Sequence, residues 1–399
     1  MIDLKAGRSD PDAWRSALAR KGAAEEFDTL LEADERWREL IPRVDELRGR
    51  TKLKGKPTPE QLQALQVVKA ELKEVEEGLA AAEAARDAAL ALVPNPPHPS
   101  SPDGDSEEDA EELRRVGEPT VLAEAREHTE IGRFDMERAA RVSGARFGYV
   151  IGDAARVAMA LYQFALEHLT EAGFTPVIPP VLVREEAMYG TGFFPTERSN
   201  IYGLEEDGLY LTGTSEVALA ALHAGEILED LPLRYTGFST CFRREAGAAG
   251  KDTRGMFRVH QFNKVEMFVF VEPETSWDEH DRMLELEERF MRALGLPYRV
   301  MNVAAGDLGA PAAKKYDIEA WFPFQERYRE VTSCSNTTDY QARRLGIRYR
   351  TEGGSLEPPH TLNGTMVTDR ALLAILEIFQ GDVPEVLTRY GAPANVRPE

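Results

Sequence analysis

Between residues 59 and 92 the apolar side chains return at alternating steps of three and four: Leu65, Val68, Leu72, Val75, Leu79 and Ala82. That spacing predicts a long helix carrying a coiled-coil seam. In "TPEQ", Thr58 and Gln61 can cap each other's backbone, with Pro59 at the first helical position. At 1.5 Å per residue the helix would be on the order of 50 Å long. A weaker upstream stripe, Phe27, Leu30, Trp37, Ile41 and Val44, predicts a partner helix; Asp34 interrupts it and Pro42 is a candidate kink. Ahead of both, Asp10, Pro11 and Gly22 mark the cap, first turn and stop of a short helix. The joint between the long helices, "RGRTKLKGK" at 48–56, holds Arg48, Arg50, Lys52, Lys54 and Lys56 and no acid. These features predict an antiparallel helical hairpin with a basic tip.

From residue 93 the pattern breaks into "VPNPPHPSSPDGDSEEDAEE", whose Pro, Ser and acid content predicts a linker. Helical and strand patterns then mix. Residues 153–172 predict a helix ending at Gly173, followed by the extended "FTPVIPPVLV". "YTGFSTCFRRE" and "FRVHQFNKVEMFVFVE" predict two strands, "YREVTSCSN" another, and "MVTDRALLAILEIFQ" a strand end running into a helix. Strands next to one another in sequence, with helices outside them, predict an α+β domain on an antiparallel sheet. The expected division is 1–105 for the helical arm and 106–399 for the mixed domain.

The chemistry concentrates on the two strands at 235–272. Side chains alternate across a strand, so Arg258, Phe262 and Glu266 are expected on one face, and Arg243 and Glu245 on one face of the partner. A guanidinium fork suits phosphate oxygens, an aromatic ring can stack on a base, and a carboxylate can hold an ammonium. The intervening "AGAAGKDTRGM" is longer than a passive turn needs. Taken alone, the same residues also fit a solvated face of cross-strand Arg–Glu pairs.

Composition narrows the setting. A net charge of −21 over 399 residues argues against general nucleic-acid binding, which makes the all-basic stretch at 48–56 an exception. No run of 18 apolar residues occurs, and "MIDLKAGRSDPDAW" lacks the basic segment and apolar core of a signal peptide. Two cysteines, Cys241 and Cys334, are too few for a disulfide scaffold or a Cys-rich zinc site. A cytoplasmic protein is expected. Neither GxxxxGK[ST] nor GxGxxG is present.

FRxE, a loop, then RxxxF resembles motif 2 of the class II aminoacyl-tRNA synthetases. "FRREAG…GKDTRGMFRVHQFNKVEMF" in particular resembles seryl-tRNA synthetases of bacterial, actinobacterial type. "TGTSE" at 212–216, "KKYDIEAWFP" and "REVTSCSNTTDYQARR" within 314–344, and "HTLNGTMVTDRALLAILE" at 360–377 extend the resemblance over almost the whole chain. It implies an enzyme that activates L-serine with ATP and transfers it to tRNA(Ser), and to tRNA(Sec) where present. Arg243, Glu245 and Arg370 would be catalytic. Arg243 would meet the α-phosphate and serine carboxylate, Glu245 the adenine amino group, Val259 and Phe262 the adenine ring, and Arg258 and Arg370 the outer phosphates. Arg244, Val331 and Thr332 belong to the same implied ATP set, and Glu330 and Ser333 would hold Mg²⁺. Serine recognition would fall to Thr214, Ser215, Glu216, Arg243, Glu266, Asn363 and Thr365. No zinc is implied. His260 and Cys334 are expected to be structural, and Thr214–Glu216 could equally cap the helix that follows them. The helix at 153–172 with "VIPPVLV" resembles motif 1 and implies a homodimer, and the basic arm implies a tRNA with a long variable arm.

The chain also departs from the pattern. Its arm is about ten residues shorter than is usual in bacterial members, Asn263 stands where aspartate is common, and Asp369 adjoins the motif 3 arginine. An acid there could weaken nucleotide binding or pair with a neighbour. These departures leave open a duplicate enzyme serving antibiotic resistance or secondary metabolism. A threonyl enzyme would need zinc ligands that are missing here. A carrier-protein ligase without tRNA charging would not need the arm, and a regulatory RNA-binding relative would not need the full set of motif arginines and pocket acids.

Overall fold

The computed structural model describes residues 1–52, 58–247, 250, 252 and 255–397. Contacts divide the chain into two compact units, Met1–Pro96 and Pro97–Glu399.

The first unit is helical: α1 Leu4–Ser9, α2 Pro11–Ala19, α3 Ala24–Arg50 and α4 Pro59–Leu92. Asp10 caps α2 by accepting from the Ala13 N–H, with Pro11 in the first turn, and Thr58 and Gln61 form the reciprocal cap of α4. Eight residues separate α3 from α4. An extended chain of that length reaches roughly 28 Å, too short to carry it back along α3, which at 1.5 Å per residue is roughly 40 Å long. The two helices pack on each other and are therefore antiparallel. Along α4, Val68 and Ala82 are buried and Leu65, Leu72, Val75 and Leu79 half-buried, as the seam requires. Cross-helix contacts include Arg86 over the Trp37 ring at 3.9 Å and Arg48 on Glu76 at 2.8 Å.

One expectation changes. Asp34 does not interrupt the stripe but belongs to it: it is 2% exposed and accepts from Arg8 Nη1 at 2.9 and 3.1 Å. Pro42 lies inside α3 without ending it. The basic stretch is also less free than its composition suggests, since Arg48 pairs with Glu76 and Arg50 lies 3.7 Å from Glu46. Lys54 and Lys56 fall outside the described residues.

The second unit is built on eight strands: β1 Glu111–Val116, β2 Thr175–Val177, β3 Leu233–Phe242, β4 Gln261–Val271, β5 Tyr298–Asn302, β6 Lys314–Phe322, β7 Arg327–Asn336 and β8 His360–Thr368. Their order is β1-β5-β6-β7-β8-β4-β3-β2, antiparallel except for the parallel β2–β3 edge. β8, last in sequence, sits between β7 and β4 and so joins the β5–β6–β7 meander to the β3–β4 hairpin. Helices α5 Asp153–Glu171, α7 Ser276–Leu294 and α8 Asp369–Phe379 supply the main core with these strands; α6 Glu216–Ala221 packs on β4 within a smaller core. On β4 the alternation separates two environments: Val265, Met267, Val269 and Val271 enter the main core, while Lys264 and Glu266 line cavities. The Pro- and acid-rich stretch read as a linker is ordered over much of its length. Its main chain donates to Ala313 from His98 and accepts from Ala305 at Pro102 and from Gly306 at Gly104. Among the described residues no helix is long and apolar enough to cross a membrane.

Candidate active site

Two adjoining cavities lie against the central strands of the sheet. The first is lined by Arg243, Glu245, Arg258, Val259, Phe262, Glu330, Val331, Thr332, Ser333 and Arg370, together with Lys264 and Asp369. The second is lined by Thr214, Glu216, Glu266, Asn363 and Thr365. Arg243, Lys264, Glu330, Ser333 and Thr365 line both.

The hairpin supplies much of the wall of the first cavity, with one change from expectation. β3 ends at Phe242 and β4 begins at Gln261, so Arg243, Glu245 and Arg258 lie on the connecting segment and not on the strands. His260 ties the two ends of that segment together: its carbonyl accepts from the Arg243 N–H and its Nδ1 donates to the Arg243 carbonyl, both at 2.9 Å. The Arg243 Nε donates to the Gly213 carbonyl at 3.2 Å and its guanidinium lies 5.2 Å from the Phe262 ring centre. Glu245 adopts a left-handed φ of 52° and accepts from Arg258 Nη1 at 2.5 Å. Arg370 donates to Glu330 Oε2 at 3.0 Å and faces the Phe257 ring. Arg258 and Arg370 thus each hold a carboxylate.

Glu330 and Ser333 are three apart, which on a regular strand would place them on opposite faces. The β6–β7 register shifts between Ile318↔Thr332 and Glu319↔Glu330, leaving Val331 bulged. The bulge returns Glu330 and Ser333 to one cavity. Desolvation would raise the Glu330 carboxyl, but the Lys315 and Arg370 charges outweigh it and hold it well below the usual range. An ionised carboxylate and a hydroxyl on a water-accessible wall are the hard oxygen donors that Mg²⁺ takes. Among the described residues no group of three His, Cys, Asp or Glu side chains is placed to hold a metal ion.

The second cavity spans the central strands. Glu266 on β4 lies opposite Thr365 on β8, and Asn363 lies opposite Ser335 on β7. Glu266 Oε2 accepts from the Thr214 hydroxyl at 2.6 Å and from the Lys264 ammonium at 3.0 Å. Glu216 is buried and accepts from Gln341 Nε2 at 2.7 Å and Asn363 Nδ2 at 2.9 Å. Burial and the neighbouring Glu266 charge push its carboxyl up to about 7. Thr214 is therefore a cavity residue as well as a local acceptor, at 3.4 Å, for the Glu216 N–H.

Two expected residues do not reach these cavities. Ser215 is buried, caps nothing with its hydroxyl and lines neither space. Arg244 donates instead to the Ile201 carbonyl at 2.9 Å and stacks on Tyr202. Lys264, conversely, lines both cavities although no motif singles it out; it sits between Phe262 and Glu266 at the same two-residue period. Cys334 is buried, and burial together with Glu287 pushes its thiol well up, unlike a nucleophile.

Asp369, half-buried, is not paired with Arg370. It accepts from the Asn263 N–H at 3.0 Å and from the Tyr162 hydroxyl, and burial pushes its carboxyl up to about 7, against the Asn263 hydrogen bond. Asn263 Oδ1 in turn accepts from Thr240 at 2.9 Å. An aspartate at 263 would put a second acid into the cavity that both residues line.

Residues 1–97 match the seryl-tRNA synthetase N-terminal domain, and residues 201–379 match the tRNA synthetase class II core domain (G, H, P, S and T). A serine–tRNA ligase of Mycolicibacterium vanbaalenii is 48% identical over 410 residues, covering 98% of each chain. One from Beutenbergia cavernae is 47% identical over 417 residues, covering 100% of this chain and 97% of the relative. The crystal structure of a Pyrococcus horikoshii seryl-tRNA synthetase complexed with ATP superposes with a TM-score of 0.93, at 39% identity over the full length of both chains. With both domains matched in order and end-to-end similarity to such relatives, the chain belongs to the seryl-tRNA synthetase family of class II aminoacyl-tRNA synthetases.

Proposed function

We propose that the chain activates L-serine with ATP and transfers it to tRNA(Ser), and to tRNA(Sec) where that tRNA exists. The observation that carries this reading is the pair of adjoining cavities with Arg243 in the wall of both. One is rich in guanidinium and aromatic groups and suits a nucleoside triphosphate. The other is floored by a carboxylate and hydroxyls and suits an amino acid with a short polar side chain. Where they meet, a serine carboxylate oxygen attacks the α-phosphorus. The bond to the bridging oxygen breaks, and pyrophosphate leaves. Arg243 faces the charge that develops there and, being fixed in advance by Gly213 and Phe262, need not reorganise. No general base is required, because the nucleophile is already a carboxylate; positioning carries much of the rate. In the second step a terminal ribose hydroxyl of the tRNA attacks the carbonyl carbon and AMP leaves.

In this reading Glu245, Val259 and Phe262 take the adenine, Arg258 and Arg370 the outer phosphates, and Glu266 with Thr214 the serine ammonium, with Thr365 near the hydroxyl. Glu330 and Ser333 would hold Mg²⁺, which when bound neutralises phosphate charge. Glu216 and Asn363 brace one another in the serine cavity wall. The arm, with its basic tip, takes the long variable arm of the tRNA by shape and backbone contacts. Function divides accordingly into a tRNA-binding part over 1–105 and a catalytic part over 106–399. Exposed Met159, Ile178 and Leu182 on α5 and the segment after it favour a homodimer through that surface. We place the enzyme in the cytoplasm. A carrier-protein ligase would have no use for the helical arm. The direct test is charging of purified long-variable-arm tRNA with serine: ATP-dependent acylation is expected, and acylation by threonine in preference to serine would overturn the assignment.

A further inference from the structure

The seat proposed for the substrate ammonium already holds one. Lys264 Nζ lies 3.0 Å from Glu266 Oε2 and 3.2 Å from Thr214 Oγ1, and the Thr214 hydroxyl donates to the same carboxylate oxygen. Lys264 and Glu266 are both buried, at 6% and 2% exposure. The α-ammonium of serine and the lysine ammonium are the same chemical group, each with three donors and one positive charge. Two such cations on one buried carboxylate repel, in a place where water screens them little. Lysine differs from arginine in having a compact charge on a flexible four-carbon stem. From its position on β4, Lys264 lines the nucleotide cavity as well as the serine cavity.

We infer that Lys264 is the resident counter-ion of the serine ammonium seat, and that serine binding displaces its ammonium into the nucleotide cavity, where a phosphate receives it. This rests on the reading that Glu266 and Thr214 hold the serine ammonium. The consequence is a coupling between the two substrates. Without nucleotide, serine must dislodge a lysine toward a cavity whose Glu245 and Glu330 carboxylates are already paired with Arg258 and Arg370. With phosphates in place, the displaced charge is received and serine binds more tightly. Coupling of this kind is reciprocal, so serine must strengthen nucleotide binding by the same factor. Lys264 is a positioning residue in the unliganded state and contacts phosphate only after the exchange.

Calorimetric titration of the full chain with serine, with and without the unreactive α,β-methylene analogue of ATP, reads the coupling directly. In the wild type the analogue is expected to tighten serine binding within the range of roughly 5- to 150-fold typical of such effects. In Lys264→Met, which keeps length but removes charge, serine alone is expected to bind more tightly than to wild type, and the analogue is expected to change it by less than about twofold, well below that range. Lys264→Arg should restore part of the coupling. If Lys264→Met does not fold, Lys264→Gln carries the same expectation. A wild-type factor of one, or a neutral variant that retains the wild-type factor, overturns the inference. Glu266→Gln separates the two levels: if it loses serine while Lys264→Met keeps the coupling, only the lysine exchange is wrong. If Glu266→Gln binds serine as wild type does, the seat itself is misassigned and the exchange falls with it.

Discussion

Replacing Glu266 with Gln tests the serine cavity at its most constrained point. The side chain is 2% exposed, and one oxygen serves both Thr214 and Lys264. Gln is nearly isosteric, so the cavity keeps its shape and Thr214 keeps an acceptor. What changes is charge. The incoming ammonium loses its counter-ion in a buried space. Removing one partner of a buried ion pair typically costs about 3–5 kcal/mol. At about 1.4 kcal/mol per decade, this predicts a fall in kcat/KM for serine on the order of 10²- to 10³-fold. Glu266 does not line the nucleotide cavity, so the KM for ATP should move by less than about threefold, a small fraction of that cost. Initial rates of pyrophosphate exchange, with each substrate varied at saturating levels of the other, measure both, and a thermal scan checks folding. Equal losses for serine and ATP, or an unchanged serine KM, would refute the assignment of the ammonium seat.

Other outcomes follow from separate parts of the molecule. Changing Lys52, Lys54 and Lys56 together to Ala should weaken aminoacylation and flatten its dependence on salt, because each lost phosphate contact lowers the counterion-release slope, while pyrophosphate exchange stays near wild type; unaffected charging would remove the tip from tRNA recognition. Asp369, with its carboxyl raised to about 7, is largely neutral at pH 6 and ionised at pH 8, so the KM for ATP should rise across that interval in the wild type and stay flat in Asp369→Asn. A raised carboxyl contributes stability at low pH that is lost as pH climbs through about 7, so Asp369→Asn should gain more in Tm over wild type at pH 8 than at pH 5; a gain independent of pH would contradict the burial argument. Light scattering at micromolar protein should give a dimer mass, and a 44.5 kDa species would count against the homodimer.

What the chain discloses by itself depends on whether a partner is near in sequence. The reciprocal Thr58–Gln61 cap and the Asp10–Pro11 start are complete within four residues, and both form. Asp34 reads as a break in a stripe because its partner, Arg8, lies 26 residues away on another helix. Pro42 leaves α3 intact because packing against α4 outweighs one lost hydrogen bond. In the site, two-residue alternation correctly joins Phe262 to Glu266, and the same period passes through Lys264. Glu330 and Ser333 meet only through the bulge at Val331, which has no local sequence signal. Ser215 and Arg244 enter the candidate set through motif strings, not through geometry, and the fold turns both away from the cavities.

The measurement closest to the central claim is pyrophosphate exchange into ATP by the purified chain, supplied in turn with serine, threonine, alanine, cysteine and glycine and no tRNA. If the two cavities form one adenylate-forming site, exchange should depend on serine and exceed that with alanine, cysteine and glycine by at least an order of magnitude, since a site built to hold a hydroxyl discriminates strongly against analogues that lack it. No exchange with any amino acid, or threonine equal to serine, would contradict the account.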